Sequence, residues 1–348
     1  MRRSFIQLHI AVLLAGLTGV LGKLISLNEG LLVWWRLLLA VPLLWVLALL
    51  RKPGKRRRQS GGSRTRRPMQ RGGSRTGRPR QRDANGPTGG SPTGEGPAGG
   101  TLLIDRRDAW RIIGIGGIAA LHWVAFYGSI KYSNVSVGLL CFSAIGFFTA
   151  LIEPLVLGHR IDFVELLLGL LVIVGIFFIF QVDPHFKTGI FIGLLSALLG
   201  SLFPVLNKRI LQRVSAVNVT LYELSGGFLV LSVLLPFYLH VFPAPSLIPG
   251  WADLGWLLIL SWLCTVLAFN LSMSALQRIS AFTVNLSYNL EPVYGILLAF
   301  LIFREDKYLN AGFYIGFCLI LLSIVLQMVR LRRKRLKGLD GPRPIGYS

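Results

Sequence analysis

The chain has 348 residues, a formal charge of +22 and a mean hydropathy of +0.61, with 53% hydrophobic and 15% charged residues. Soluble domains carry about 25% charged residues, so this composition excludes a water-soluble globular protein. The charge is concentrated: residues 51–109 hold sixteen Lys/Arg against four acids and the tail from Arg330 seven against one, which leaves the rest nearly neutral.

A helix of about 20 apolar residues crosses roughly 30 Å of hydrocarbon. Ten such segments follow one another: Phe5–Leu27, Leu31–Leu50, Trp110–Ile130, Ser136–Leu157, Phe163–Phe180, Thr188–Val205, Val217–Leu239, Leu254–Leu276, Ala281–Phe303 and Leu309–Val329. Period-2 alternation is absent, which argues against a β-barrel. The first segment follows Arg2 and Arg3 as a signal peptide would. Its apolar run is long and no small-x-small cleavage site ends it, so it reads as a retained span. The second carries Arg36 about a turn and a half from its start, beside Trp34 and Trp35. An ionisable group inside a span is costly and marks a functional site by default. For Arg36, lining a vestibule is weighed against snorkelling to the interface.

Residues 51–109 interrupt the series. "GGSRTRRPMQRGGSRTGRPRQR" at 61–82 is an eleven-residue unit written twice, followed by the linker-like "GPTGGSPTGEGPAGG". Such a segment cannot bury a core and is expected to be a disordered cytoplasmic insert. No aromatics interleave its arginines to stack on bases, so no nucleic-acid partner is expected. Arg51–Arg58, directly after a span, and the C-terminal tail suit anionic lipid headgroups, worth about 1 kcal/mol per basic residue.

The third segment holds His122, Trp123 and Tyr127 near its middle. Histidine is the side chain most easily moved across neutral pH, yet a lone one serves equally as a packed interhelical donor. Glu153-Pro154 in the fourth segment reads as a helix-end feature. The seventh carries Glu223 beside Tyr222, at the position that mirrors Arg36, and the eighth carries Asn270. The ninth is the richest, with Asn285, Tyr288, Asn289, Glu291, Pro292 and Tyr294. Residues three apart share a helix face, so Tyr288, Glu291 and Tyr294 form one stripe. Pro292 removes a backbone donor and should bend the span there. Glu291 is weighed as a cavity residue against a neutral interhelical tie. Cys141, Cys264 and Cys318 show no metal-ligand or redox spacing and are expected to be buried thiols; no nucleotide-binding Gly-rich loop occurs. No cofactor or metal is expected.

Shifted by 146 residues, the chain falls on itself: "SAIGFFTALIEPLVLGHRID" at 143 meets "NLEPVYGILLAFLIFREDKY" at 289. Upstream of the insert, Lys23 meets Lys208 and Arg36 meets Glu223 at a larger shift. Five spans is an odd number, so the second half is inverted, which is a transporter signature. The Lys/Arg bias puts both termini and the insert in the cytoplasm.

"WWRLLLAVPLL" at 34, "HWVAFYGSIKYSNVSV" at 122, "LEPVYGILLAFLIFRED" at 290 and "GFYIGFCLILLSIVL" at 312 resemble the EamA-like family of the drug/metabolite transporter superfamily. The Pro292-to-Glu305 spacing is similar to the family's proline-to-acid pattern; in the first half Gly146 and His159 stand in those places. The resemblance implies ten helices, a central cavity and export or exchange of small metabolites, often amino acids.

The expected fold is therefore an all-α integral membrane protein of ten transmembrane helices in two inverted five-helix repeats. Residues 1–50 hold helices 1–2, 51–109 the insert, 110–180 helices 3–5, 188–329 the second repeat and 330–348 the tail. The expected function is secondary transport of amino-acid-like metabolites across the cytoplasmic (inner) membrane by alternating access, without enzymatic activity. Expected substrate-binding residues are Glu291, Tyr288, Asn289, Tyr294, His122, Trp123, Tyr127, Arg36, Glu223 and Asn270. Proton coupling and a homodimer are compatible with the pattern. An integral membrane enzyme using His122 and Glu291 on a lipid-borne substrate, and a membrane anchor recruiting a partner through the insert, stay open as alternatives.

Overall fold

The structure is a computed structural model that describes residues 2–50, 104–158, 160–182, 186–288 and 290–336. Most of the insert, His159, Asn289 and the tail beyond 336 lie outside the described residues. Among the described residues every regular element is a helix. In chain order these are α1 (Arg2–Leu24), α2 (Glu29–Leu50), α3 (Arg106–Tyr132), α4 (Val135–Phe142), α5 (Ile145–Leu157), α6 (Phe163–Val182), α7 (Lys187–Ile210) and α8 (Ala216–Val241). Then come α9 (Trp251–Leu258), a π-helical stretch Ile259–Leu267, α10 (Ala268–Leu276), α11 (Ala281–Tyr288), α12 (Glu291–Phe303), a 3₁₀ turn Glu305–Tyr308 and α13 (Ala311–Leu336). Among the described residues eight helical stretches are long and apolar enough to cross a membrane; Phe163–Ile179 and Glu291–Phe303 are shorter apolar helices. Large apolar side chains such as Leu155, Leu301 and Phe237 are turned outward, as a bilayer requires.

The third helix starts at Arg106, four residues before Trp110, so it reaches into what the sequence assigns to the insert. Its polar first turn is held by Asp108, which pairs with Arg213 at 2.7 Å. The fourth and ninth apolar segments are each broken in two. The boundaries of α4 and α5 recur 146 residues later as those of α11 and α12. Pro292 thus does not bend a continuous helix. It sits in the first turn of a new one, where its missing N–H costs nothing. The first-half break has no proline; there the Ser143 N–H is shared between the carbonyls of Leu139 and Leu140.

Packing follows the same correspondence. α7 lies against α3, α4 and α5; α1 lies against the Trp251–Leu276 helix, α11 and α12. α2 pairs with α8, and α6 with α13. Lipid gives helices no hydrophobic reason to associate, so close approach through small residues matters. The tightest crossing is α3 on α8: a Cβ at Gly116 would lie 2.0 Å from the Glu223 carbonyl oxygen, and one at Gly226 2.5 Å from the Ile113 Cα.

Candidate functional site

The helices enclose a central cavity with an empty volume of about 720 Å³, counting the space open to solvent. α1 contributes Ala15 and Thr18, and α2 contributes Arg36. His122, Trp123 and Phe126 come from α3, and Phe142 and Ile145 from the two sides of the α4–α5 break. α7 adds Phe203 and Pro204, while the eighth segment adds Cys264, Phe269, Ser272 and Met273. Tyr288 and Glu291 face it from either side of the α11–α12 break.

Arg36 is 3% exposed. Its Nε donates to Thr265 Oγ1 at 2.6 Å and its Nη1 to the Tyr127 hydroxyl at 2.9 Å. The guanidinium lies over the Trp123 ring, 4.1 Å from its centroid. The snorkelling reading of Arg36 is therefore overturned: three partners from α3 and the π-helical stretch hold the cation inside the bundle. π-Helical turns widen a helix and recur at functional sites, and this one delivers Thr265 and Cys264 to the guanidinium side. Glu291, 4% exposed, is buried at the start of α12. There the positive end of the helix dipole suits an acid. Thr18, whose hydroxyl donates to the Ala15 carbonyl oxygen at 2.6 Å, and Arg36 line the same cavity. Tyr288 and Ser272 line the cavity together.

His122 is an interhelical tie that also lines the cavity. Its Nδ1 lies 2.8 Å from the Ser196 carbonyl oxygen and 3.0 Å from the Ser196 hydroxyl, tying α3 to α7. A proton on Nδ1 for that carbonyl leaves Nε2 as an acceptor. The ring also lines the cavity among Phe142, Phe203 and Phe126, at centroid distances of 5.1, 5.8 and 6.4 Å. Phe203 stacks on Phe269 at 6.1 Å.

Other expected residues lie elsewhere. Tyr127 is fully buried behind the wall and acts through Arg36. Tyr294 is 37% exposed, off the cavity, with its Cβ against Gly16 of α1. The break before α12 resets the helical register, so the expected Tyr288–Glu291–Tyr294 stripe does not form. Asn270 spends its amide on the Val266 carbonyl oxygen at 2.9 Å, one turn back. Glu223 is fully buried and absent from the cavity wall, bonded to Asn207, so it lines no vestibule. Cys318 is exposed rather than buried. Ser272, a weaker candidate beside Asn270 in the sequence, lines the cavity, whereas Thr18, Thr265 and the phenylalanines were not singled out by the sequence. Their types are too common in apolar helices to signal a site.

At one end of the bundle the two halves are tied by charges. Glu305 accepts from Lys23 Nζ at 2.6 Å, from the Ser136 hydroxyl at 2.7 Å, and from the backbone N–H groups of Val135 and Ser136 at 3.1 and 2.9 Å. The acid thus caps α4 from the other half of the chain. Burial alone would raise the Glu305 carboxyl; the hydrogen bonds from Lys23 and Ser136, with the Lys23 charge, outweigh it and hold the group below the usual carboxylate range. Asp253 reinforces this end by accepting from the Ser26 N–H at 3.0 Å and from its hydroxyl. At the opposite end Lys208 donates to the carbonyl oxygens of Leu276 and Ile279.

Residues 187–329 match the model of the EamA-like transporter family. This second half of the chain is thus similar to a family of the drug/metabolite transporter superfamily. The family is one of transporters, and with the apolar helices it makes the chain a multi-pass membrane protein. No curated protein matches the chain. A solved crystal structure is similar over 97% of this chain and 99% of its own length, with a TM-score of 0.60 at 15% identity. At that identity the likeness shows the fold alone.

Proposed function

We propose that the chain is a secondary transporter of small zwitterionic metabolites, amino-acid-like in form, working by alternating access. The observation that carries the reading is the pair Arg36 and Glu291 in one cavity walled by aromatic rings. Arg36 suits a substrate carboxylate, since its planar fork can bind it bidentately. Glu291 suits an ammonium group. Trp123, Phe142, Phe203 and Phe269 offer apolar surface to a side chain. A zwitterion entering between the two replaces each charge's partner with another, so neither is left buried and unpaired.

In this reading the ten apolar segments are ten spans, the halves are inverted repeats, and the termini and insert are cytoplasmic. The Lys23–Glu305 end is then outer and the Lys208 end inner. Arg51–Arg58 and the tail contact anionic headgroups. Impermeant thiol labelling of cysteines placed at 51–58 tests the orientation: reaction from outside intact cells refutes it.

The transport test is counterflow. The full chain in liposomes loaded with unlabelled L-leucine or L-phenylalanine should accumulate the labelled amino acid. Arg36→Ala and Glu291→Gln should each raise the half-saturating concentration. Absence of counterflow with every zwitterionic amino acid, in protein that stays folded, rejects the reading.

A further inference from the structure

Glu223 and Asn207 form a polar site separate from the cavity, and both are fully buried. Asn207 Nδ2 donates to Glu223 Oε2 at 2.6 Å. The other oxygens of the same two groups, Glu223 Oε1 and Asn207 Oδ1, have no partner. Two buried acceptors without a donor are costly, and each such group calls for an unseen ligand or proton. Among the described residues no Lys, Arg or His pairs with this carboxyl. An isolated buried carboxylate is so unfavourable that it takes up a proton instead.

A proton fits this geometry. Placed on Oε1, it supplies the one donor that both orphan oxygens lack. The acid O–H then donates to the amide carbonyl while the amide N–H donates to the acid, the closed two-bond ring of a carboxylic acid and a primary amide. We propose that Glu223 and Asn207 bind the proton that couples to transport, one side chain behind the cavity wall. The step is a simple transfer: an O–H bond forms at Glu223 as one breaks on hydronium or water from the cavity, and the reverse on release.

Two contacts place the pair next to the cavity. Asn207 Nδ2 lies 3.8 Å from the Met273 sulfur, and Met273 lines the cavity. Pro204, one turn before Asn207 on α7, lines it too. A substrate that displaces Met273 therefore reaches the amide. The elements packed against Glu223 bring no competing charge. α3 presents Gly116 at this level. Its ionisable groups are engaged elsewhere, Asp108 and Arg111 with each other and with Arg213, and His122 with Ser196. Lys208 of α7 is bound to carbonyl oxygens, and Arg36 of α2 to Thr265 and Tyr127. The Trp251–Leu276 helix brings Met273 to Asn207 and the thiol of Cys264 to the cavity. Thr220, one turn earlier on α8, is also buried with its Oγ1 unpartnered, so sodium is the competing occupant that the test must separate.

The proposal rests on the transport reading for its coupling role, but the protonation is measurable without it. Infrared titration of the full chain in liposomes should show a protonated-carboxyl C=O band at neutral pH. That band should disappear in Glu223→Gln, shift in Asn207→Leu, persist in Glu291→Gln, and be the same in sodium and choline buffers. An unchanged band in Glu223→Gln overturns the proposal. So does a band that sodium abolishes, which would make this a cation site. If Glu223→Gln fails to fold, the Asn207→Leu comparison decides: no shift overturns the proposal. In transport, Glu223→Gln should keep L-leucine counterflow and lose accumulation driven by a pH gradient; retained accumulation overturns the coupling role. Lack of counterflow in the unmodified protein would reject the transport reading while the infrared result stands.

Discussion

Replacing Glu305 by glutamine should open the Lys23 end of the bundle. Glu305 is 3% exposed and takes four hydrogen bonds, three of them from the first turn of α4 in the other half of the chain. Hydrogen bonds to a charged group contribute about 1.5–3 kcal/mol each. Glutamine keeps the size and one acceptor oxygen, but its NH₂ must face a donor. Removing one partner of a buried pair costs about 3–5 kcal/mol. The Lys23 side chain is 36% exposed and can turn to solvent, so its share is discounted. About 3 kcal/mol remains, which shifts a two-state equilibrium by roughly a hundredfold. Cys264 lines the cavity and is 4% exposed, so it reports opening once Cys141 and Cys318 are replaced. An impermeant thiol reagent applied from the Glu305 side should label it much faster in Glu305→Gln. The pH dependence carries a definite sign. The folded-state value of Glu305 lies below its unfolded value, so its contribution is complete above the unfolded value of about 4.3 and is lost as pH falls through the folded one. Labelling of the unmodified protein should therefore stay slow between about pH 5 and 8. Equal labelling rates and equal melting temperatures for the variant and the parent would refute the assignment of Glu305 as a latch.

Other outcomes follow from close contacts and from the insert. Gly116→Ala should abolish folding or lower the melting temperature sharply, because the Cβ meets backbone atoms of Glu223 and Gly227 at 2.0 and 2.8 Å; Gly114→Ala, with nothing within 4 Å, should be neutral or slightly stabilising. Arg36→Lys should raise the half-saturating substrate concentration about tenfold or more, since the charge stays while the fork to Thr265 and Tyr127 is lost at about 1–3 kcal/mol. Counterflow kinetics check this, and an unchanged value would mean that the fork does not orient the binding cation. Deleting residues 59–100, which enter neither half of the repeat, should leave melting temperature and counterflow intact; loss of counterflow at normal expression would assign the insert a part in transport.

Much of the scaffold was legible because membrane helices are written in runs of apolar residues and the repeat preserves their spacing. The 146-residue shift was visible in letters of low identity, and the boundaries of α4, α5, α11 and α12 follow it. The break itself was not legible in the first half, because "CFSAIGFF" at 141 has no proline and its turn is made by backbone and side-chain sharing at Ser143. The same break explains why Tyr294 was misplaced: a period of 3.6 predicts a face only within one continuous helix. Arg36, His122, Trp123, Tyr288 and Glu291 stand out in the sequence because polar and ionisable residues are rare in lipid, and the cavity gathers them. Glu223 was found by the same rule, yet its burial away from the cavity depends on the α3–α8 crossing, which Gly116, Gly226 and Gly227 permit and no local pattern announces.

In the proposed transport reading the chemistry sits where the two halves differ. Repeated helices supply two ends of similar packing, and a perfect repeat would favour neither end. Glu291 faces Ile145 in the correspondence, His122 faces Ala268, and Arg36 faces Glu223. Lys23 and Lys208 keep the same residue at both ends but not the same partner. Lys23 meets the carboxylate that caps α4, whereas Lys208 meets neutral carbonyl oxygens at the end of α10. Both sets of bonds are charge-assisted, but only Lys23 and Glu305 join two opposite charges, which adds their Coulomb attraction. In the proposed cycle the end closed by Glu305 is thus the more firmly held at rest, and substrate or proton binding in the middle must offset that difference for the other end to close.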